Sequence, residues 1–186
     1  MNRIAPLDPS HVDGKSKQLF DAIQGNFGAV PNVFRVFGNS AAALEGYLSF
    51  NTALSSGLLP ASLREQIALA VSEINGCGYC LSAHAFFGGK VGLAHEEIDA
   101  ARHAMASDKK NAAVLEFARA VTTSRGRVGS SDLAAVRAAG FNDAEIVEIV
   151  SHVSLTSLTN YVNNVAETEI DFPVVTPGEF PTTKAS

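Results

Sequence analysis

The longest run of helically spaced apolar residues, Ile146 to Glu167, carries Val150, Val153, Leu158, Tyr161, Val162 and Val165 and predicts a core helix. A helix of that kind needs partners, and the rest of the chain shows the same period. Lys15 to Gln24 reads as a first helical segment, stopped by Gly25-Asn26-Phe27-Gly28. Pro31 suits the first turn of Asn32 to Phe37, and Asn39 or Ser40 can cap a helix through Ala41, Leu44, Tyr47, Leu48 and Leu54, ending near Gly57. Pro60 opens the next, with Ser62 and Glu65 at capping-box spacing, and Asn75-Gly76 breaks it after Ile74. A helix begins with Cys77 and Cys80, continues through Ala85, Phe86 and Phe87, and weakens at Gly88-Gly89. Helical patterns follow from Ala94 to about Ala106, from Lys109 to Thr123 and from Ser131 to Gly140, and Asn142 with Glu145 caps the long run. Strand signals are absent, so the fold class is all-α.

A chain of 186 residues, 46% of them hydrophobic, can bury one sizeable core. Residues 1–170 are therefore expected to form a single compact helical domain, irregular up to about position 13. Residues 171–186 read as a tail. Phe172-Pro173-Val174-Val175-Thr176-Pro177-Gly178 cannot sustain a helix and should run extended, free to reach a neighbouring subunit. The formal charge of −5 comes from scattered residues, without a basic stripe, which argues against nucleic acid as a partner. No charged segment followed by an apolar stretch opens the chain, and no run of about eighteen apolar residues occurs, so membrane insertion is not expected and a cytoplasmic location is.

Both cysteines lie in Gly76-Cys77-Gly78-Tyr79-Cys80-Leu81-Ser82-Ala83-His84. Two cysteines are too few for a secreted disulfide framework, and in a reducing compartment a close pair points to catalysis or metal binding. On a helix, residues at i and i+3 share a face, so the thiols can approach closely enough to bridge. A helix start also favours thiolate over thiol. His84, at i+4 from Cys80, falls on the same face and could stabilise that thiolate or carry its proton.

Glu65 shares a face with Ala68, Leu69 and Ser72 on a helix that is apolar nearly all round. It is either a proton acceptor beside the thiols or the capping partner of Ser62. Cys77, Cys80, His84 and Glu65 have the chemistry of a zinc site as well, although no second cysteine pair completes the usual structural arrangement. Of the remaining histidines, His11, His95 and His103 sit in flexible or charged settings, and His152 reads as a hydrogen-bonded core residue. The phenylalanines are core by default, though some could wall an apolar pocket near the thiols.

The pattern Glu65, Cys77, Cys80, His84, in the context Arg64-Glu65-Gln66-Ile67-Ala68-Leu69-Ala70-Val71-Ser72-Glu73-Ile74-Asn75-Gly76-Cys77-Gly78-Tyr79-Cys80, resembles the alkylhydroperoxidase D-like, carboxymuconolactone decarboxylase superfamily, and most closely its peroxidase-related subgroup. Asp143 to Val150 and Tyr161 to Ala166 extend the likeness more loosely. The resemblance implies an all-helical fold assembled as a trimer or hexamer, with the dithiol at a helix start in an apolar pocket. It implies Cys80 as the peroxidatic thiolate, Cys77 as the resolving thiol, and Glu65 and His84 as a relay that deprotonates Cys80. No cofactor enters this scheme. Its partners are a small organic hydroperoxide and an external dithiol reductant. Alkylhydroperoxidase D proper often has a histidine just before the second cysteine, where this chain has Tyr79. The decarboxylase branch usually lacks the dithiol, which disfavours lactone decarboxylation. A general disulfide oxidoreductase, a redox sensor and a zinc-binding module are the competing readings.

Overall fold

A computed structural model describes residues 2–178 and contains nine helices among them. They are α1 (Gly14–Phe27), α2 (Asn32–Phe37), α3 (Ala41–Ser55), α4 (Ala61–Ile74), α5 (Gly78–Lys90), α6 (His95–Arg102), α7 (Lys109–Ser124), α8 (Ser130–Ala138) and α9 (Asp143–Ala166). No strand occurs among the described residues.

Helix α4 is the axis of the molecule. Leu63, Ile67, Leu69, Ala70 and Val71 point to different sides of it and all are buried, as expected of a helix that is apolar around its circumference. Helices α5, α6, α7 and α9 pack around it. One apolar cluster joins α4 to α6, α7, α8 and the start of α9 through Leu115, Phe117, Val136 and Ile149. A second gathers Phe20, Ile23, Phe34, Phe37 and Leu44 from α1, α2 and α3 against Cys77, Tyr79 and Cys80.

The helix directions follow from pairwise bonds. Cys77 N donates to Ser72 O at 2.9 Å while Glu65 meets His84, so α5 runs antiparallel to α4. Glu148 accepts from the backbone of Leu58 just before α4, and Asn160 donates to Ser72 near its end, so α9 runs parallel to α4. After α9 the chain turns through Glu167, whose φ is 50°, and crosses back over α5 of its own chain. Val175 N donates to Ser82 Oγ at 2.9 Å, and Arg102 donates to Thr176 O at 3.0 Å. The described part of the tail is thus seated on its own subunit rather than reaching outward. The part beyond residue 178 lies outside the described residues. The N-terminal segment is stitched to this region, because Arg3 N donates to Ala166 O and Glu169 N donates to Asn2 Oδ1.

Several boundaries differ from the sequence reading. Helix α5 continues through Gly88 and Gly89 to Lys90, and a Cβ on Gly88 would meet Leu93 Cδ1 at 3.3 Å and Ile98 just beyond. Gly88 is therefore a close-packing position, not a helix stop. Helix α6 ends at Arg102, short of Ala106, because Ala104 takes a left-handed conformation with φ 56° while Met105 N closes on Ala100 O. Ser62 caps nothing: the residue before α4 is Pro60, which offers no side-chain bond.

The largest correction concerns α9. Val150, Leu158, Tyr161 and Val165 face outward, and Val147 joins them. The inward stripe holds His152, Thr156, Thr159, Asn160 and Asn163 alongside Ile149 and Val153. Polar residues thus share the inside of the long helix with apolar ones, and part of its apolar surface is exposed.

Gly38 tests the packing of the second cluster. Its φ of −59° suits any residue, but a Cβ there would sit 2.4 Å from Cζ of the buried Phe20 ring. Gly38→Ala should destabilise the protein by about 1–3 kcal/mol through overpacking, read as a lowered midpoint in denaturant titration.

Candidate active site

The start of α5 is built by the break before it. Gly76, at φ 63°, takes the left-handed turn that reverses the chain after α4, and Cys77 becomes the N-cap of α5 in extended geometry. Cys77 Sγ then accepts a hydrogen bond from Cys80 N at 3.3 Å. Both cysteines are unbridged and buried, and their sulfurs share a hydrogen bond.

That shared proton separates the two thiols. Its bond to Cys80, with burial second, pushes the Cys77 thiol far up and keeps it protonated. For Cys80, burial opposes ionisation, but the hydrogen bond from Cys77, the charge of His84 and the amides of Asn160 and Asn163 outweigh it and bring the pKa down to about 6. Asn163 Nδ2 lies 3.2 Å from Cys80 Sγ. The arrangement favours the thiolate at Cys80 and the thiol at Cys77.

Glu65 and His84 meet across α4 and α5, with Oε2 and Nδ1 2.7 Å apart. Both side chains are mostly shielded, at 21% and 27% exposure, so the carboxylate is not turned out to bulk water. Burial disfavours the imidazolium, yet the charge and hydrogen bond of Glu65 outweigh it and raise the His84 pKa. This pairing answers the choice left by the sequence: Glu65 partners His84, not Ser62. His84 acts on Cys80 through its charge, without a hydrogen bond between them. Among the described residues no group of three or more His, Cys, Asp or Glu side chains is placed to hold a metal ion, so the zinc arrangement is not assembled there.

Sequence reasoning missed the asparagines. Asn160, fully buried, donates to Ser72 Oγ and accepts from Asn75 Nδ2, which ties α9 to the end of α4 beside the thiols. The available signal was the pair of polar residues at i and i+3 inside an otherwise helical apolar pattern. Tyr79, at the position of family departure, turns its hydroxyl toward Asp171 Oδ1 at 2.7 Å and accepts from Val33 N at 3.1 Å. Its ring packs edge-on against Phe172. Burial pushes the Tyr79 phenol well above its usual value, so it acts as a buttress holding the tail to the helix.

A cavity of about 300 Å³ opens onto Cys80. Phe27, Phe34, Tyr47, Phe87 and Phe172 wall it, which places the apolar pocket where the sequence allowed one. Glu65 and His84 line it as well, whereas Cys77 lies behind Cys80, away from the opening.

Residues 41–124, which include all four of these side chains, match the model of the Carboxymuconolactone decarboxylase family. Among solved structures, the chain is similar to the alkylhydroperoxidase AhpD core of an uncharacterized peroxidase-related protein from Ralstonia eutropha JMP134, at 24% identity and TM-score 0.82, over 91% of this chain and 92% of that one. It is similar to an uncharacterized peroxidase-related protein from Silicibacter sp. TM1040, at 24% identity and TM-score 0.77, over 90% and 92% of the two chains. The debrominase Bmp8 shares the fold at 20% identity and TM-score 0.77, over 91% and 92%. Comparison with curated proteins finds no match. Residues 41–124 thus match the model of the family that the motif resembles, and the chain as a whole shares the fold of the alkylhydroperoxidase AhpD core.

The electrostatics carry a direct test. Removing the cation with His84→Gln should move the Cys80 thiolate midpoint upward from about 6, because the charge that favours ionisation is gone while burial remains. Thiolate absorbance followed across a pH titration of the reduced protein reads that shift.

Proposed function

We propose that this chain is a thiol-dependent peroxidase that reduces small organic hydroperoxides through a Cys77/Cys80 dithiol–disulfide cycle. The observation that supports it best is a buried thiolate at Cys80, facing an apolar cavity, with a hydrogen-bonded thiol at Cys77 behind it. Cys80 Sγ attacks the terminal peroxide oxygen and the O–O bond breaks. The leaving alkoxide takes a proton from His84, whose positive charge Glu65 stabilises, and departs as an alcohol. Cys80 is left as a sulfenic acid. Cys77 then attacks the Cys80 sulfur, a disulfide forms, and the hydroxyl leaves as water with the Cys77 proton. An external dithiol reduces the disulfide and restores both thiols. The balance is one hydroperoxide and two thiols in, one alcohol, one water and one disulfide out.

Burial weighs between this and the rival redox reading. Cys77 is fully buried and Cys80 is 3% exposed, which disfavours a disulfide on the surface of another protein as the partner. A small hydroperoxide can enter the cavity, as can a small lipoamide-like disulfide, so rate constants with the two small substrates separate the readings. The debrominase shares only the fold with this chain and adds nothing to the choice of substrate.

One equivalent of cumene hydroperoxide added anaerobically to the reduced protein should remove two thiols per chain without intermolecular crosslinks. Cys80→Ser should abolish turnover with the fold intact, and Cys77→Ser should stop after one turnover at the sulfenic acid, trapped with dimedone. Turnover that persists in Cys80→Ser sinks the assignment.

The exposed stripe of α9 supports the homo-oligomer, a trimer or hexamer, that the family resemblance implies. Val147, Val150, Leu158, Tyr161 and Val165 recur at helical spacing along one face, and Tyr161 and Val165 are each 59% exposed. A second copy of the chain is its proposed occupant. Light scattering should give a multiple of the 19.5 kDa chain mass, and Tyr161→Glu should shift it toward the single-chain value.

A further inference from the structure

The cavity does not end at the thiolate. His152, Thr156, Thr159 and Asn163 recur along one face of α9 and all line it, so it runs beside that helix for about 16 Å at 1.5 Å per residue. Asn163 marks the Cys80 end. The opposite end lies at the start of α4, where Arg64 lines the same cavity one residue before Glu65.

Two polar groups at that end are unused by the chemistry described above. Arg64 directs Nη1 to the carbonyls of Ser55 and Leu59, at 2.8 and 3.3 Å, which fixes the guanidinium, and among the described residues no carboxylate pairs with it. The acid beside it, Glu65, is already matched by His84. His152 is 7% exposed, and its Nε2 is buried without a hydrogen-bond partner. A buried imidazole nitrogen in that condition is costly unless something enters to meet it. Burial, with the charge of Arg64, brings the His152 pKa down to about 4 and keeps the ring neutral. Lys90, also on the rim, is exposed and sits over the Phe86 ring.

From this geometry we infer that Arg64 and His152 form a subsite for the carboxylate of an amphipathic ligand whose apolar portion lies along the aromatic walls toward Cys80. One fixed guanidinium and, in the tautomer that carries its proton on Nε2, one neutral imidazole N–H match a singly charged carboxylate, which accepts from both. Resting on the peroxidase reading, this makes hydroperoxides of organic acids the substrate class, with the acid group held at Arg64 and the peroxide presented to the thiolate.

Binding of non-peroxide probes separates this subsite from the redox chemistry. Calorimetric titration of the reduced wild-type protein should show octanoate binding about tenfold more tightly than 1-octanol, the scale of a charge-assisted hydrogen bond. Arg64→Gln should bring the two affinities within about twofold of each other. Arg64→Lys, which keeps the charge, should retain most of the preference and serves if the glutamine variant does not fold. His152→Phe should weaken octanoate binding severalfold, whereas a role confined to filling the core would leave it unchanged. Equal binding of octanoate and 1-octanol by the wild type, or a preference that survives in folded Arg64→Gln, overturns the subsite. A carboxylate preference in a protein whose thiols do not react with hydroperoxide would leave the subsite standing and remove the peroxidase reading.

Discussion

A negatively charged sulfur surrounded by aromatic rings is unstable unless donors and positive charge are brought to it from several directions at once. Here they come from three helices. Cys77 donates from the turn before α5, His84 supplies charge from one turn further along it, and Asn160 and Asn163 supply amides from α9, while Glu65 on α4 holds the histidine charged. The relative placement of α4, α5 and α9 is therefore tied to the state of one atom. Loss of any of these groups leaves the burial penalty and removes part of what offsets it.

This requirement explains the inverted character of α9. A helix that served only to fill the core would turn its valines and leucines inward. The inner face of α9 instead carries, beside Ile146, Ile149, Val153 and Leu155, the amides that bond Ser72 and Cys80 and the polar residues that line the cavity, while Val147, Val150, Leu158, Tyr161 and Val165 stand on the outside. A cavity with polar ends and aromatic walls is thus built at the expense of part of the packing a long helix could have provided.

The motif was legible because its geometry is local. Cys80 and His84 belong to one helix whose period fixes their shared face, Cys77 caps its start, and the Gly76 break announces where that helix begins. Glu65 was half legible: the all-round apolar character of α4 flagged a carboxylate in need of a partner, but Ser62 at capping spacing gave an equally local answer, and only the antiparallel pairing of α4 with α5 distinguishes them. The asparagines, the Tyr79–Asp171 bond and the unpartnered His152 depend on contacts between residues far apart in the chain, to which periodicity is blind. Gly88 misled for a related reason. A glycine within a helical pattern reads as a break until the neighbouring Leu93 and Ile98 show how closely other side chains approach it.

Phe172 is contributed by a stretch with no regular secondary structure, yet it is one wall of the cavity. Its neighbour Asp171 bonds Tyr79 and the backbone of Asn32, and the same stretch is joined to the first residues through Asn2 and Arg3. The N-terminal residues and the stretch after α9 are thus joined next to a wall of the cavity that Cys80 lines. A substitution that loosened either segment would withdraw an aromatic wall from the cavity, so the surroundings of Cys80 depend on residues far from it in sequence.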